Sequence, residues 1–526
     1  MIKSWTPVLA ELTLLEHEVV AAARRGAWAT RDGDRVEELA LAEDPDLCVR
    51  AELIRELLMG RHGELDPRGV RVRGLRLVGL LDLDHVSAVA PLTLVSSALP
   101  DGLRCHRACL PEADLSRSWL SCLLAEGLRV QGNLLLEDVV VRGTGDDGAV
   151  RLVDAHVDGR LDFDGAYIDN HTGPALNADR VRIGAKLSMT GVTVRGAGEV
   201  GAVRLFGAHI GGQLDFARAR IDNDSGPALS AEGLRTDGHL FLRDVNVHGA
   251  GESGAVRLLG AHVGGQAHLT GTRADNDSGP LLVLSEMQVE RVLYLPAAVI
   301  CPREQVDAGR RACADEARRI AVRGLVFTCL GHLSWQQWLH LVVHHTREYL
   351  PQPFQQLAAV ERAAGHDDNA RQVLITQQED LRRRAPDAFG GRMARLRHRL
   401  WGWLGRYGYR AHRLVTALVV VLALTGAVAY AAGQVPTRAG HHAAERVTIA
   451  AGGSSGTRCS TAELVGLGID RGLPLGTSGL RVRCDLDTST RRGQVFTYVL
   501  WALQALLWAL ATLAVAAYTG LVRKPT

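Results

Sequence analysis

Three stretches of this chain are near copies of one another: GAVRLVDAHVDGRLDF starting at Gly148, GAVRLFGAHIGGQLDF at Gly201 and GAVRLLGAHVGGQAHL at Gly254. Successive starts are 53 residues apart, and the pairs Gly173-Pro174, Gly226-Pro227 and Gly279-Pro280 keep the same interval. A fixed period of this length marks a repeat architecture in which each unit covers the apolar face of the next. The stretch PALNADRVRIGAKLSMTGVTV from Pro174 aligns position for position with GAVRLVDAHVDGRLDFDGAYI from Gly148, so each unit is two similar coils.

Within a coil the apolar residues fall about five apart. Leu152 and Val157 form one such pair and Phe163 and Ile168 another, with small residues such as Ala155 and Ala166 two positions before the second member. This spacing resembles the quadrilateral right-handed β-helix of pentapeptide-repeat proteins. The resemblance implies about 21 residues per turn plus a short loop, with coils stacked about 4.8 Å apart over one continuous inner face. Less regular pieces, GVRVRGLRLVGLLDLDHV from Gly69 and GLRVQGNLLLEDVVVRG from Gly127, extend the solenoid over residues 67–300.

The flanks read as helical. Leu9, Leu12, Leu15, Val19 and Val20 recur at helical spacing over residues 7–25, with Thr6 as cap and Pro7 in the first turn, and a second helix is expected over 49–59. Residues 1–66 are therefore expected to form an N-terminal helical cap. Residues 301–413 are expected to form a helical neck. It has an amphipathic helix over 325–343 bearing Trp335, Trp338 and Leu339, and a hairpin over 353–384 that resembles a single tetratricopeptide-type repeat (Leu357, Ala358, Gly365, Ala370, Leu374).

Two apolar runs, 414–432 and 495–521, are long enough to cross a bilayer. Trp401, Trp403, Tyr407 and Tyr409 sit where an aromatic belt would, and Arg395, Arg397, Arg399, Arg406, Arg410 and Arg413 precede the first run. By the positive-inside rule that side is cytoplasmic. Arg523 and Lys524 follow the second run in the tail 522–526, while Arg491 and Arg492 oppose the rule on the other side. Residues 1–6 lack the basic stretch and apolar core of a signal peptide. The expectation is a multi-pass plasma-membrane protein with its solenoid and C-terminus in the cytoplasm. The loop 433–494 is then extracytoplasmic, where oxidation is allowed, and its two cysteines, Cys459 and Cys484, are expected to form a disulfide.

Composition narrows the function classes. A formal charge of +2 over 526 residues gives no bulk attraction for phosphate backbones, which excludes an electrostatically driven nucleic-acid binder. Nine cysteines without a C-x-x-C pair predict neither a zinc ribbon nor a thioredoxin motif, and Cys105, His106, Cys109 and Cys122 form the nearest thing to a ligand cluster. No metal site is predicted. GTGDDG from Gly143, GAGEVG from Gly196 and GAGESG from Gly249 fit G-x-G-x-x-G, so Gly196, Gly198 and Gly201 are weak cofactor-binding candidates. A dinucleotide fingerprint must open a helix, however, and here a strand-like AVRL follows. GGSSG from Gly452 fits a nucleophile elbow in letters only, being a Gly/Ser-rich linker. The aligned loops DNHTG, DNDSG and DNDSG, at Asp169, Asp222 and Asp275, faintly resemble calcium loops but lack the bidentate Glu. Aligning the coils also puts His156, Arg182, His209, Arg235 and His262 in one column. That basic ladder is a candidate anion-binding stripe for acidic headgroups or an acidic partner.

The VRVRGLRLVGLLDLD opening, the GAVRLFGAHIGGQLDF coils, the PFQQLAAVERAAGHDDNARQVLI segment and the two terminal spans resemble an uncharacterised family of actinobacterial membrane proteins often catalogued as "membrane-associated oxidoreductase". The resemblance covers nearly the whole chain and carries no catalytic residue with it. The preferred reading is a non-enzymatic scaffold without cofactor or catalytic residue, anchored by two spans and displaying its solenoid to a protein partner. A homo-oligomer is an open option. The alternatives are an oxidoreductase using a nicotinamide or flavin cofactor, and a small oligomeric channel. No ionisable residue lies in the spans, and Gln504 is their strongest polar group.

Overall fold

The computed structural model describes residues 11–31, 35–302, 313, 315, 317–408, 411–446, 457–472 and 484–518. They fall into two compact units, Met1–Ala370 and Arg371–Thr526. Thr6, Pro7, Tyr409, Arg410, the GGSSG stretch and the tail 522–526 lie outside the described residues.

The first unit is a parallel β-solenoid of about ten turns, its strands stacked in one 19-stranded and two 10-stranded sheets. The larger sheet carries two ladders. One runs through Arg129–Val130, His156–Val157, Arg182–Ile183, His209–Ile210, Arg235–Thr236 and His262–Val263, and the other through Leu134–Leu135, Leu161–Asp162, Leu187–Ser188, Leu214–Asp215, Leu240–Phe241 and Ala267–His268; both merge on the long strand Gln288–Tyr294. Each coil thus offers four short strands and four corners. Leu152, Val157, Phe163 and Ile168 are fully buried, with Ala155 and Ala166 beneath them. The coils lengthen along the chain: Ala113 pairs with Leu134, 21 residues on, whereas Leu134 pairs with Leu161, 27 on. The extra residues are the corner loops of the 53-residue units.

Two corners per coil turn through left-handed backbone. Asp154, Arg180, Gly207, Gly233, Gly260 and Glu286 occupy one column, and Asp138, Gly165, Gly191, Arg218, Asp244 and Gly271 the other, all with φ between 52° and 73°. Glycine alternates there with residues whose Cβ must be held against its preference.

The N-terminal helix begins at Leu14, later than the expected residue 7 among the described positions. Thr13 accepts a hydrogen bond from the Glu16 backbone N–H (3.2 Å) while Glu16 accepts from the Thr13 N–H (3.0 Å). This capping box sets the start. After a single helical turn at Val36–Leu39, the helix expected over 49–59 is Ala51–Leu58, because Cys48–Arg50 is first taken up as a strand paired with Arg76–Val78. Its Leu53, Ile54, Leu57 and Leu58 are fully buried and close the solenoid's first coil, and Arg55 pairs with Asp82 at 3.2 Å.

At the other end the strands run past residue 300. Ile320–Ala321 pairs with Leu282–Val283, and Val326–Gly331 pairs with Gln288–Tyr294, so the helix expected over 325–343 is instead a strand followed by the helix Trp335–His344. The β-branched and aromatic start Val326-Phe327 joins the open ladder, and Ser334 caps the shorter helix. Helix Pro351–Ala363 then satisfies the exposed strand edge: Gln352 accepts from the Gly324 N–H (3.1 Å) and donates to the Leu325 carbonyl (2.9 Å), and Gln356 donates to the Phe327 carbonyl (2.7 Å). A turn of three residues leads into helix Asp367–Arg384.

In the second unit, helices Ala411–Gln434 and Arg491–Tyr518 are each long and apolar enough to cross a membrane. Leu414 packs with Leu510 near one end and Ala432 with Leu500 near the other, so they run antiparallel. Helix Arg392–Gly405 precedes them and exposes Met393, Leu396 and Leu400 between its arginines. Ala444–Arg446 pairs with Cys484–Leu486, Cys459 and Cys484 form a disulfide, and helix Thr461–Gly472 lies against both long helices. Gly468 sits so close to Thr425 and Gly426 that a Cβ would come within 2.5 Å of the Thr425 carbonyl oxygen. Gly472 faces Leu422, Thr425 and Leu507. The short helix therefore runs alongside the two long helices to about the middle of their length.

Candidate functional site

The basic ladder exists as a ladder. His156 pairs with Arg182, Arg182 with His209, His209 with Arg235 and Arg235 with His262, and the column continues to Arg129 and Cys109 at one end and Gln288 at the other. Their outward position follows from strand alternation, since the next residue in each strand points into the core. The column is not uniformly cationic. His156 lies 2.8 Å from Asp158, His209 3.7 Å from Asp237 and His262 3.2 Å from Glu290, so every imidazole faces a carboxylate. Arg182 and Arg235, between them, are exposed. The surface alternates balanced histidine pairs with bare guanidinium groups.

Gly196, Gly198 and Gly201 serve the corner. Strand Thr193–Gly196 leads through the loop into strand Val203–Arg204, with no helix for a pyrophosphate to meet. Gly201 has φ +143°, and a Cβ on Gly198 would lie 2.9 Å from the Gly201 carbonyl oxygen. The neighbouring loop is held by a buried asparagine. Asn223 donates to the Gly198 carbonyl (2.8 Å) and to the Pro227 carbonyl (2.6 Å), while its own oxygen accepts from the Ser225 N–H (3.1 Å). Asn170 repeats this with Gly145, Pro174 and Thr172, and Asn276 repeats the two donations with Gly251 and Pro280. The DN pairs thus stitch each loop to the previous coil. Their aspartates pair within their own loops, half-buried Asp222 with Arg220 (2.9 Å) and buried Asp169 with His171 (3.3 Å), and form no ligand cluster among the described residues.

A constellation absent from the sequence reading lies where the solenoid ends. Cys301, Cys313, His340 and His345 bring their donor atoms within 4.8 Å of one another. Cys301 Sγ is 3.5 Å from Cys313 Sγ, which is 3.4 Å from His345 Nε2. The far nitrogen of His345, Nδ1, lies 2.6 Å from the Arg318 carbonyl. His340 is 6% exposed, and neither of its ring nitrogens has a hydrogen-bond partner. Burial, then the neighbouring His344 and His345, push His340 down to about 4, so it is neutral. Burial, then Cys313 and Asp315, push the Cys301 thiol up to about 12. The one sequence signal was the His340-x4-His345 spacing, which sets the two rings about 140° apart on a continuous helix and points to a shared site only once the helix ends at His344. Cys105, His106, Cys109 and Cys122 do not gather into a ligand cluster among the described residues: Cys105 points into the core, where burial raises its thiol far above the ordinary range.

A second such feature is a ring stack on the outside of the solenoid. His239, Phe241, His268, Tyr294 and His332 succeed one another, with His268 and Tyr294 parallel at 4.0 Å. Arg243 lies over Phe241 at 4.5 Å.

No protein-family model, curated protein or solved structure matches this chain.

Proposed function

We propose that this protein is a membrane-anchored, non-enzymatic scaffold that presents the outer face of its β-solenoid to a protein partner. The observation that carries the reading is the unbroken stack of parallel ladders, a long regular surface of repeated histidine–carboxylate pairs and arginines, in one chain with two membrane-length helices. Such surfaces suit extended protein contacts, and their mixed charge favours a partner with matching charges over a uniformly anionic lipid sheet.

The four strands per coil and the inward residues about five apart support a right-handed, pentapeptide-like winding, the hand that parallel β connections prefer. In this reading the helices Ala411–Gln434 and Arg491–Tyr518 span the plasma membrane. The arginines before the first span are cytoplasmic, and the Cys459–Cys484 disulfide faces the oxidising side. Helix Arg392–Gly405 lies in the inner interface, its exposed Met393, Leu396 and Leu400 in lipid and its arginines against anionic headgroups.

The test is site-specific photocrosslinking in native membranes, with the crosslinker placed at His209 or Arg235 and, as control, at Asn246 on another ladder. A discrete adduct from the first two positions and none from the third supports the scaffold. Equal or absent crosslinking at all three rejects it. A second reading, a small homo-oligomeric channel, is favoured by helix Thr461–Gly472, which brings Asp470 and Arg471 down beside the spans. Single-channel recording on reconstituted protein separates the two.

A further inference from the structure

We propose that Cys301, Cys313, His340 and His345 bind one zinc ion, which closes the C-terminal end of the β-solenoid. The donor set is two thiolates and two neutral imidazoles, the tetrahedral combination that selects zinc, and it balances the charge of the ion. In a tetrahedron with bonds of about 2.3 Å to sulfur and about 2.0 Å to nitrogen, the S–S edge is about 3.8 Å and the S–N edge about 3.5 Å. The observed separations of 3.5 Å and 3.4 Å are close to those edges.

Two further observations point to a ligand. His340 is buried with both ring nitrogens unpartnered, a cost that a bond to metal at one of them would offset. His345 gives its Nδ1 proton to the Arg318 carbonyl, which fixes the tautomer and leaves the Nε2 lone pair facing Cys313, the outer-shell arrangement typical of metal-bound histidine. Four protein ligands leave no open position for substrate, so the site is structural.

Its place in the fold gives it a task. Cys301 follows the short 3-10 turn Ala297–Val299 after the last full coil, Cys313 comes from the segment before strand Ile320–Ala321, and His340 and His345 come from helix Trp335–His344 and its C-cap. The Ile320 N–H also donates to the His345 carbonyl (2.8 Å). One ion would clamp the terminal strand to the helix that covers it, at the point where a solenoid must be capped.

The experiment uses the full chain, purified in detergent without a histidine tag from cells supplied with zinc, and measures bound metal by inductively coupled plasma mass spectrometry. One zinc per chain is expected, lost in Cys301→Ser/Cys313→Ser and retained in Cys105→Ser/Cys122→Ser. Replacement by cobalt should give the visible absorption of tetrahedral Co(II) together with thiolate-to-cobalt charge transfer in the folded wild-type protein, a readout that does not depend on the variants folding. Wild-type protein with no more zinc than the Cys301→Ser/Cys313→Ser variant overturns the proposal. So does cobalt bound without thiolate bands, or a Cys301–Cys313 disulfide in the purified chain.

Discussion

Replacing Asn223 by alanine tests what holds the repeating loops. The side chain is fully buried and makes three hydrogen bonds, two donated to the Gly198 and Pro227 carbonyls and one accepted from Ser225. At about 1 kcal/mol net for each, and with the buried carbonyls left unpaired, Asn223→Ala should destabilise the local coils by about 3 kcal/mol. Because a solenoid's stability is a sum of nearest-neighbour terms, the loss should appear around the substituted coil and fade within two coils. Hydrogen-exchange mass spectrometry on the full chain in detergent reads this directly. Amides between residues 196 and 230 should lose protection about 100-fold, since each tenfold corresponds to about 1.4 kcal/mol. Amides before residue 137 should be unchanged. Asn223→Asp should be at least as damaging at neutral pH, because it sets a carboxylate where two carbonyls need donors. Asn246→Ala, at an exposed strand position, is the control and should change nothing. Unaltered protection at 196–230 in Asn223→Ala, or an equal loss along the whole solenoid, would refute the stitching argument.

Three other outcomes are expected. Arg218 sits at a left-handed corner with φ 59°, so Arg218→Gly should stabilise its coil by about 1 kcal/mol, seen as slower local exchange. Burial pushes the Glu16 carboxyl up, but hydrogen bonds from Arg50 and the Thr13 backbone outweigh it and hold it below its usual range; the N-terminal cap should therefore keep this contribution above the ordinary glutamate pKa and lose it as pH falls through the lowered one, a loss that Glu16→Gln should abolish in acid titration followed by exchange. The Cys459–Cys484 bond closes a separation of 25 residues, so reduction should destabilise the loop by about 3 kcal/mol, and both thiols should alkylate only after reductant.

The solenoid was legible because its period is written three times in the sequence, and a fixed register carries every alignment into space: the column from His156 to His262 is a real ladder for that reason. What the alignment does not carry is the partner across the ladder. Asp158, Asp237 and Glu290 lie two residues along their own or the next strand and turn a basic stripe into a balanced one. The buried asparagines looked like surface turn formers because asparagine makes such turns without help. The cluster at Cys301 was hidden for the opposite reason. Its four residues come from non-repeating segments without a C-x-x-C pair, and only the folding of the last strands beneath a helix brings them together. The start of the first helix was misjudged because Pro7 is a louder signal than the Thr13 and Glu16 capping box. The strand at Val326 was misjudged because its pairing edge is offered by residues nearly forty positions earlier.

The alternation of two coils that differ in their corner loops means that this surface is quantised. A single coil cannot be removed without setting a Gly-Pro loop above another of its kind, whereas a block of 53 residues can be, since Val203 and Val256 occupy equivalent places in the same ladder. Each such block adds or subtracts two rungs, about 9.6 Å of solenoid length. The protein is thereby built as a gauge whose reach can change between descendants in fixed steps without disturbing either end.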